Sequence, residues 1–268
     1  TTDNDSYEAI GLAPITDYEV YVRANCGAGD LSDWIGPLNF TTECAAFTPD
    51  YLQDFATIPA DCWDEADNGD ATTGPLDIGN GSWNQDGFLN NGFNGAYSIN
   101  LWVATKSDWL LSPQFDLTGG PFQVEFDFGV MTYGSSTNPG SLGSDDIVQI
   151  LISTDLGVTW AILETWDSSS VFTVAGLHPI YDLTAYSGQT VQFGILGSEG
   201  TVDDPEDTEA FIDNFQVRSI PTCPEPTDLD SNNITLTSTE ISWTENGTST
   251  VWNIEYGLSG FTQGTGTV

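Results

Sequence analysis

The chain has 268 residues, of which 39% are hydrophobic and 12% aromatic, enough for packed cores in one large domain or in two or three small ones. Forty acidic residues face three basic ones, Arg23, Lys106 and Arg218, for a formal net charge of −37. That balance excludes nucleic acid as a partner and unassisted binding to anionic membranes, because three cations build no basic surface. Acids that converge on folding must instead be neutralised or hold a divalent cation.

No stretch approaches the roughly 18–20 apolar residues of a membrane span, so direct insertion is not expected. No signal peptide opens the chain, and Thr1 reads as an internal start. The four cysteines, Cys26, Cys44, Cys62 and Cys223, form no CxxC, and His178 is the single histidine, which argues against a zinc site. An even cysteine count in an acidic, β-rich chain points to disulfides and an oxidising, extracellular compartment.

In chain order, strand signals dominate. Tyr18-Glu19-Val20-Tyr21-Val22-Arg23 and Val148-Gln149-Ile150-Leu151-Ile152-Ser153 alternate or are β-branched, and Gly, Asn, Asp and Pro clusters punctuate such runs. Short strands with regular turns and no amphipathic helix predict an all-β fold of sandwiches or jelly rolls. Three segments separate: 1–44, 45–220 and 221–268.

The first segment, through Gly11-Leu12-Ala13-Pro14-Ile15-Thr16-Asp17-Tyr18 and the Leu38-Asn39-Phe40-Thr41-Thr42 run, resembles the second half of a fibronectin type III domain. Tyr18 is placed as its tyrosine corner. The last segment resembles the first half. Pro224–Leu229 stands as its first strand, Ile241-Ser242-Trp243 as the second with the buried Trp, and Trp252–Gly257 as the third. The halves are complementary, so the chain reads as one period of a tandem repeat in which Val268 precedes the next Thr1; a fragment with two cut ends is the alternative. That resemblance places Cys26 and Cys223 at one pole of a completed sandwich, paired across adjoining copies. It also pairs Cys44 with Cys62, closing a loop of about 18 residues that contributes roughly 3 kcal/mol.

The middle segment resembles the cleaved-adhesin family, a MAM-like (choice-of-anchor) jelly roll. The carrying residues are Phe55-Ala56-Thr57-Ile58-Pro59, Cys62-Trp63, Gly81-Ser82-Trp83, Ser107-Asp108-Trp109-Leu110-Leu111-Ser112-Pro113-Gln114-Phe115 and Ala210-Phe211-Ile212-Asp213-Asn214-Phe215. Trp109, Leu111 and Phe115 are expected to alternate into one core. The resemblance implies a secreted, calcium-binding, non-catalytic domain of surface adhesins such as those of Bacteroidota, exported by their dedicated outer-membrane (type IX) secretion route. Where the family carries Glu two residues before the opening Phe, this chain has Gln53, with Asp54 beside it as a substitute ligand.

Calcium takes six to eight oxygens. The candidate ligands are Asp54 and Asp213 with the run Asp203, Asp204, Glu206, Asp207 and Glu209. A second candidate is the acidic stretch Asp64 to Asp70, whose Asp67-Asn68-Gly69-Asp70 core is only weakly like an EF-hand loop. Ser153-Thr154-Asp155-Leu156-Gly157-Val158-Thr159-Trp160 matches the Asp-box pattern. It is read as a structural hairpin, because sialidases need an arginine cluster that this chain lacks. No motif selects a nucleophile or an acid–base pair, so an enzyme is not expected. The glycan-facing candidates are Trp83, Phe93, Tyr97 and Trp102, in a Gly- and Asn-rich setting around Asn90–Gly95. The functional expectation is an adhesin or stalk repeat whose partners are adjoining copies or domains of the same polypeptide. The alternative is a glycan-binding accessory module of a secreted multidomain enzyme.

Overall fold

The computed structural model describes residues 6–102 and 105–267. The expected join from Val268 into Thr1 lies outside the described residues. Two compact units divide the chain between Ser219 and Ile220.

Within the first unit, β1 (Asp17–Val22) pairs with β4 (Ile35–Thr41), and the short β2 (Asn25–Gly27) pairs with β3 (Asp30–Leu31). Tyr18 Oη accepts the Ala13 N–H at 2.8 Å, and its ring stacks on Phe40 at 5.7 Å. The outer residues of this small ribbon, among them Ile35 and Leu38, are exposed.

The rest of the unit is a β-sandwich. Its strands are β5 (Tyr51–Gln53), β6 (Asp64–Asp70), β7 (Gly74–Ile78), β8 (Asn84–Asp86), β9 (Ala96–Leu101), β10 (Ser107–Asp116), β11 (Phe122–Thr132), β12 (Ile147–Ser153), β13 (Ala161–Trp166), β14 (Ile180–Asp182), β15 (Thr190–Ser198) and β16 (Thr208–Ser219). One sheet runs β13-β12-β15-β10-β6-β7; the other runs β14-β11-β16-β9-β8, with β5 on β16. Strands β9 to β12 alternate between the sheets, and so do β15 and β16, which is jelly-roll wiring. Inward residues of both sheets, such as Leu110, Phe115, Phe126, Phe128, Val148, Ile150, Phe193 and Phe215, form one core rich in edge-on and stacked rings.

The alternation expected for Trp109, Leu111 and Phe115 is broken. Between Leu111 and Gln114 β10 carries one residue more than β15 opposite, a β-bulge. Pro113 has no N–H to give the ladder, and opposite the bulge the Phe193 N–H donates to Ser112 Oγ at 2.9 Å. The bulge flips the pleat, so Phe115 enters the main core while Trp109 and Leu111 lie on the opposite face of the sheet. There they are sealed by Trp160, whose ring stands 5.4 Å from that of Trp109.

Trp160 is delivered by the Asp box. Asp155 accepts the Thr159 N–H (2.8 Å) and hydroxyl (2.7 Å), Gly157 adopts φ 81°, and Trp160 Nε1 donates to the Gly157 carbonyl at 3.0 Å. The motif folds as the hairpin its sequence implied.

The segment between Cys44 and Cys62 is attached to both sheets. The two cysteines are bonded, with Cα atoms 5.9 Å apart. Phe47 exchanges backbone hydrogen bonds with β10 (to the Gln114 carbonyl and from the Asp116 N–H, both 2.8 Å), and β5 pairs with β16.

In the second unit β17 (Thr227–Asn232) pairs with β18 (Glu240–Thr244). Trp243 is half-buried rather than buried, and its ring meets Trp252 edge-on at 5.4 Å. The strand expected at Trp252–Gly257 reduces to an isolated bridge between Tyr256 and Thr267. A two-stranded ribbon offers no opposing sheet, which leaves Leu229, Ile234 and Leu236 exposed. Cys26 and Cys223 are exposed free thiols.

Candidate functional site

The acids singled out in the sequence separate into different places. Asp213 stands on β16 opposite Asp127 of β11, beside a bulge that puts Asn214 at φ 48°. Asp127 is held by His178 Nδ1 (2.7 Å) and by Asn214 Nδ2 (2.7 Å). Burial pushes Asp213 up to about 6, against a hydrogen bond from the Asn214 N–H, with the negative charges of Asp127 and Asp54 adding to the rise. Asp54 Oδ1 accepts the Ala56 N–H, and Gln53 Oε1 accepts the Phe55 N–H. The carboxylates of Asp213, Asp54 and Asp127 are the hard oxygen donors that calcium takes, but they do not stand close enough together to grip an ion.

The run at 203–209 divides. Asp203, Asp204 and Glu206 lie at the pole where β15 passes into β16, close to Asp145, Asp146 and Glu199. Glu209 faces another loop and accepts the Gly134 N–H at 3.1 Å, while Asp207 accepts Asn100 Nδ2 at 2.7 Å. Asp145, Asp146 and Glu199 were not selected from the sequence. They sit singly or in a pair at strand ends, and the only signal was an Asp-Asp pair before β12.

The stretch Asp64–Asp70 is corrected by the structure. It is strand β6, paired between β10 and β7, and not a loop. Its carboxylates are spread along the ladder, with the chain turning at Asn68 (φ 66°) and Gly69 (φ 90°) between Asp67 and Asp70. Asp67 stands opposite Asp108 and Asp77, and Asp70 Oδ1 is occupied by Thr72 and Thr73 at the following turn. Those hydrogen bonds, led by the Thr72 side chain, hold Asp70 below the usual carboxylate range. Among the described residues no three His, Cys, Asp or Glu side chains already stand close enough to grip a metal.

The glycan-facing candidates also divide. Trp83 and Tyr97 are core residues, 4% and 1% exposed, and Trp83 Nε1 donates to the Asp108 carbonyl at 3.3 Å. Phe93 is 90% exposed at the tip of the 87–95 loop, and Trp102 is 55% exposed just past β9. The loop under Phe93 is anchored by Leu89, which is buried against Met131 and Phe211. A cleft of about 390 Å³ is lined by Trp63, Asp64, Glu65, Asn80 and the edge of Tyr97. Burial raises Glu65 there, against a hydrogen bond from the Trp83 backbone, with Asp108 and Asp64 adding to the rise.

Arg218 Nη2 donates to Glu125 Oε2 at 3.0 Å, with Nε within ion-pair distance of Oε1 at 2.8 Å, and Arg23 lies 4.4 Å over the Trp34 ring.

No protein-family profile matches the chain, and no curated protein matches it. Solved structures similar to it include the K1 cleaved adhesin domain of Lys-gingipain from Porphyromonas gingivalis W83, at 12% identity and a TM-score of 0.39, over 65% of this chain and 99% of that one. A second is TmCBM61 in complex with β-1,4-galactotriose, at 14% identity and a TM-score of 0.35, over 60% and 90%. A third is the N-terminal cellulose-binding domain of Cellulomonas fimi β-1,4-glucanase C, at 13% and 0.29, over 59% and 89%. All three TM-scores lie below 0.5, too low for the likeness to bear on function.

Proposed function

We propose that this chain is a non-catalytic module of an extracellular bacterial surface protein, working as an adhesin or as a filament or stalk unit and stabilised by calcium. The observation that carries this reading is how the chain passes into the sandwich. A pull arriving along the 6–44 segment meets the Cys44–Cys62 bond, and the bridged segment is hydrogen-bonded to β10 of one sheet and β16 of the other. Tension therefore crosses the bond to Cys62 and enters the sandwich at β6, a strand paired on both sides by β10 and β7, while the bridged segment is shielded from it. The disulfide supports an oxidising, extracellular location. Calcium at Asp213, Asp54 and Asp127 would supply positive charge that relieves their mutual repulsion; the chain's own part is to place these carboxylates on β11, β16 and the turn after β5, from where binding would draw them together. The exposed apolar residues Ile35, Leu38, Leu229 and Leu236 are surfaces that adjoining copies or domains of the same polypeptide would cover.

The test is single-molecule extension of the chain between two handles. Under oxidising conditions the sandwich should rupture in one event that withholds the 18-residue loop; after reduction the contour length should grow by roughly 6 nm. Stepwise peeling at low force in the oxidised state would sink the mechanical reading. The second reading, a glycan-binding accessory module, is favoured by exposed Phe93 and Trp102. Retention on a glycan array that is lost in F93A and W102A would select it.

A further inference from the structure

We infer that the sandwich pole closed by residues 143–146 and 199–206 is a second divalent-cation site, of the hard-oxygen calcium type, held by Asp146, Glu199, Asp204 and Glu206.

Burial is the first ground. Glu199 is 0% exposed and Asp146 1% exposed, and among the described residues both Glu199 carboxylate oxygens, Asp146 Oδ1 and Glu206 Oε2 are buried with no hydrogen-bond partner. Buried carboxylates elsewhere in this sandwich are answered: Glu125 by Arg218, and Glu209 by the Gly134 N–H. Ionised oxygens without partners are among the most costly groups a protein can bury, and they persist where something outside the chain neutralises them.

Charge is the second ground. Asp145, Asp146, Glu199, Asp203, Asp204 and Glu206 gather at this pole, and Lys106 is a cation that acts on Glu199. The Lys106 ammonium donates to the Asn100 carbonyl at 2.7 Å and, among the described residues, makes no ion pair with these acids.

The two loops are also braced to keep the acids together. Asp145 accepts the Thr201 and Val202 N–H groups, and Asp204 accepts both the Ser144 N–H and its hydroxyl. Gly143 lets the carboxylates close in: a Cβ there would come within 2.7 Å of Asp204 Oδ2 and 2.9 Å of Asp146 Oδ2. Every donor in the cluster is oxygen, which selects a hard cation. Irregular loops suit calcium's flexible shell better than the strict octahedron of magnesium. Since no three carboxylates already grip a metal, binding is expected to draw 199–206 onto 143–146. Asp213 is five residues along β16 from Thr208, about 17 Å by strand rise, so this site stands or falls independently of the one there.

The experiment is calorimetric titration of CaCl₂ and MgCl₂ into chelator-stripped full-length chain, with E199Q, E199Q/D146N and D213N. Wild type should take up calcium in preference to magnesium, and E199Q should weaken one equivalent at least tenfold. E199Q/D146N should lose that equivalent while D213N retains it. At a hundredfold excess over Kd, calcium should raise the Tm by on the order of 5–10 °C in wild type, and less in E199Q. Exchange protection of 199–206 should rise on calcium addition. The proposal is overturned if wild type and E199Q/D146N give the same isotherm, including no heat from either. It is likewise overturned if E199Q raises the Tm equally with and without calcium, since Glu199 would then be a core acid that is simply protonated.

Discussion

Replacing both Cys44 and Cys62 by Ser removes a covalent constraint without removing the packing around it. The bond closes a separation of 18 residues, for which the loop-closure relation gives about 3 kcal/mol. Tyr51 still meets Phe115 edge-on at 5.0 Å and still accepts Trp63 Nε1 at 2.9 Å, so the native state keeps its contacts and the loss falls on the unfolded state. In a sandwich of this size about 1 kcal/mol corresponds to roughly 2–4 °C, so the Tm should fall by about 6–12 °C. Differential scanning calorimetry reads this directly. Reducing the wild type should reproduce the shift, because Cys26 and Cys223 are free thiols with no bond to lose. A fall below about 2 °C would refute the reasoning and mean that backbone pairing of Phe47 and β5 already confines the segment in the unfolded ensemble.

Glu199 (about 7) and Asp213 (about 6) are both raised above the ordinary carboxylate range, so the folded state keeps protons that the unfolded state releases. In chelator the Tm should therefore decline as pH rises from about 4.5 to 7, and added calcium should flatten the slope; a flat profile in chelator would contradict it. Gly194→Ala places a methyl 3.0 Å from ring atoms of both Trp109 and Trp160, and should cost about 1–3 kcal/mol in urea unfolding; no change would mean that the rings part freely. Phe93→Ala should leave the urea midpoint unchanged, whereas Trp83→Ala should cost about 3–5 kcal/mol, separating the surface aromatic from the core one. If Cys26 and Cys223 join adjoining copies, non-reducing peptide mapping of oxidised material should yield a Cys26–Cys223 linked peptide; its absence would leave the repeat reading without its covalent tie.

Local patterns in the sequence determined much of this protein. Val148, Ile150 and Ile152 alternate and enter the core as a period of two requires. The Asp box folds from hydrogen bonds that span no more than four residues, so its spacing suffices to specify it. Alternating runs punctuated by Gly, Asn, Asp and Pro put the chain among all-β proteins. Tertiary structure decided the rest. The bulge at Ser112-Pro113 turned Trp109 away from Phe115, and β6 turned an acidic run from a loop into a strand, because both depend on which neighbour supplies the ladder. Trp83 and Tyr97 carry the same glycine-rich surroundings as Phe93, yet packing buries them and leaves Phe93 outside. Asp203 and Asp204 could be read as an acidic run, but Asp146 and Glu199 join them only when the turn before β12 meets the turn after β15. What a carboxylate can bind follows from its desolvation and from the charges beside it, and those are set by residues some fifty positions away along the chain.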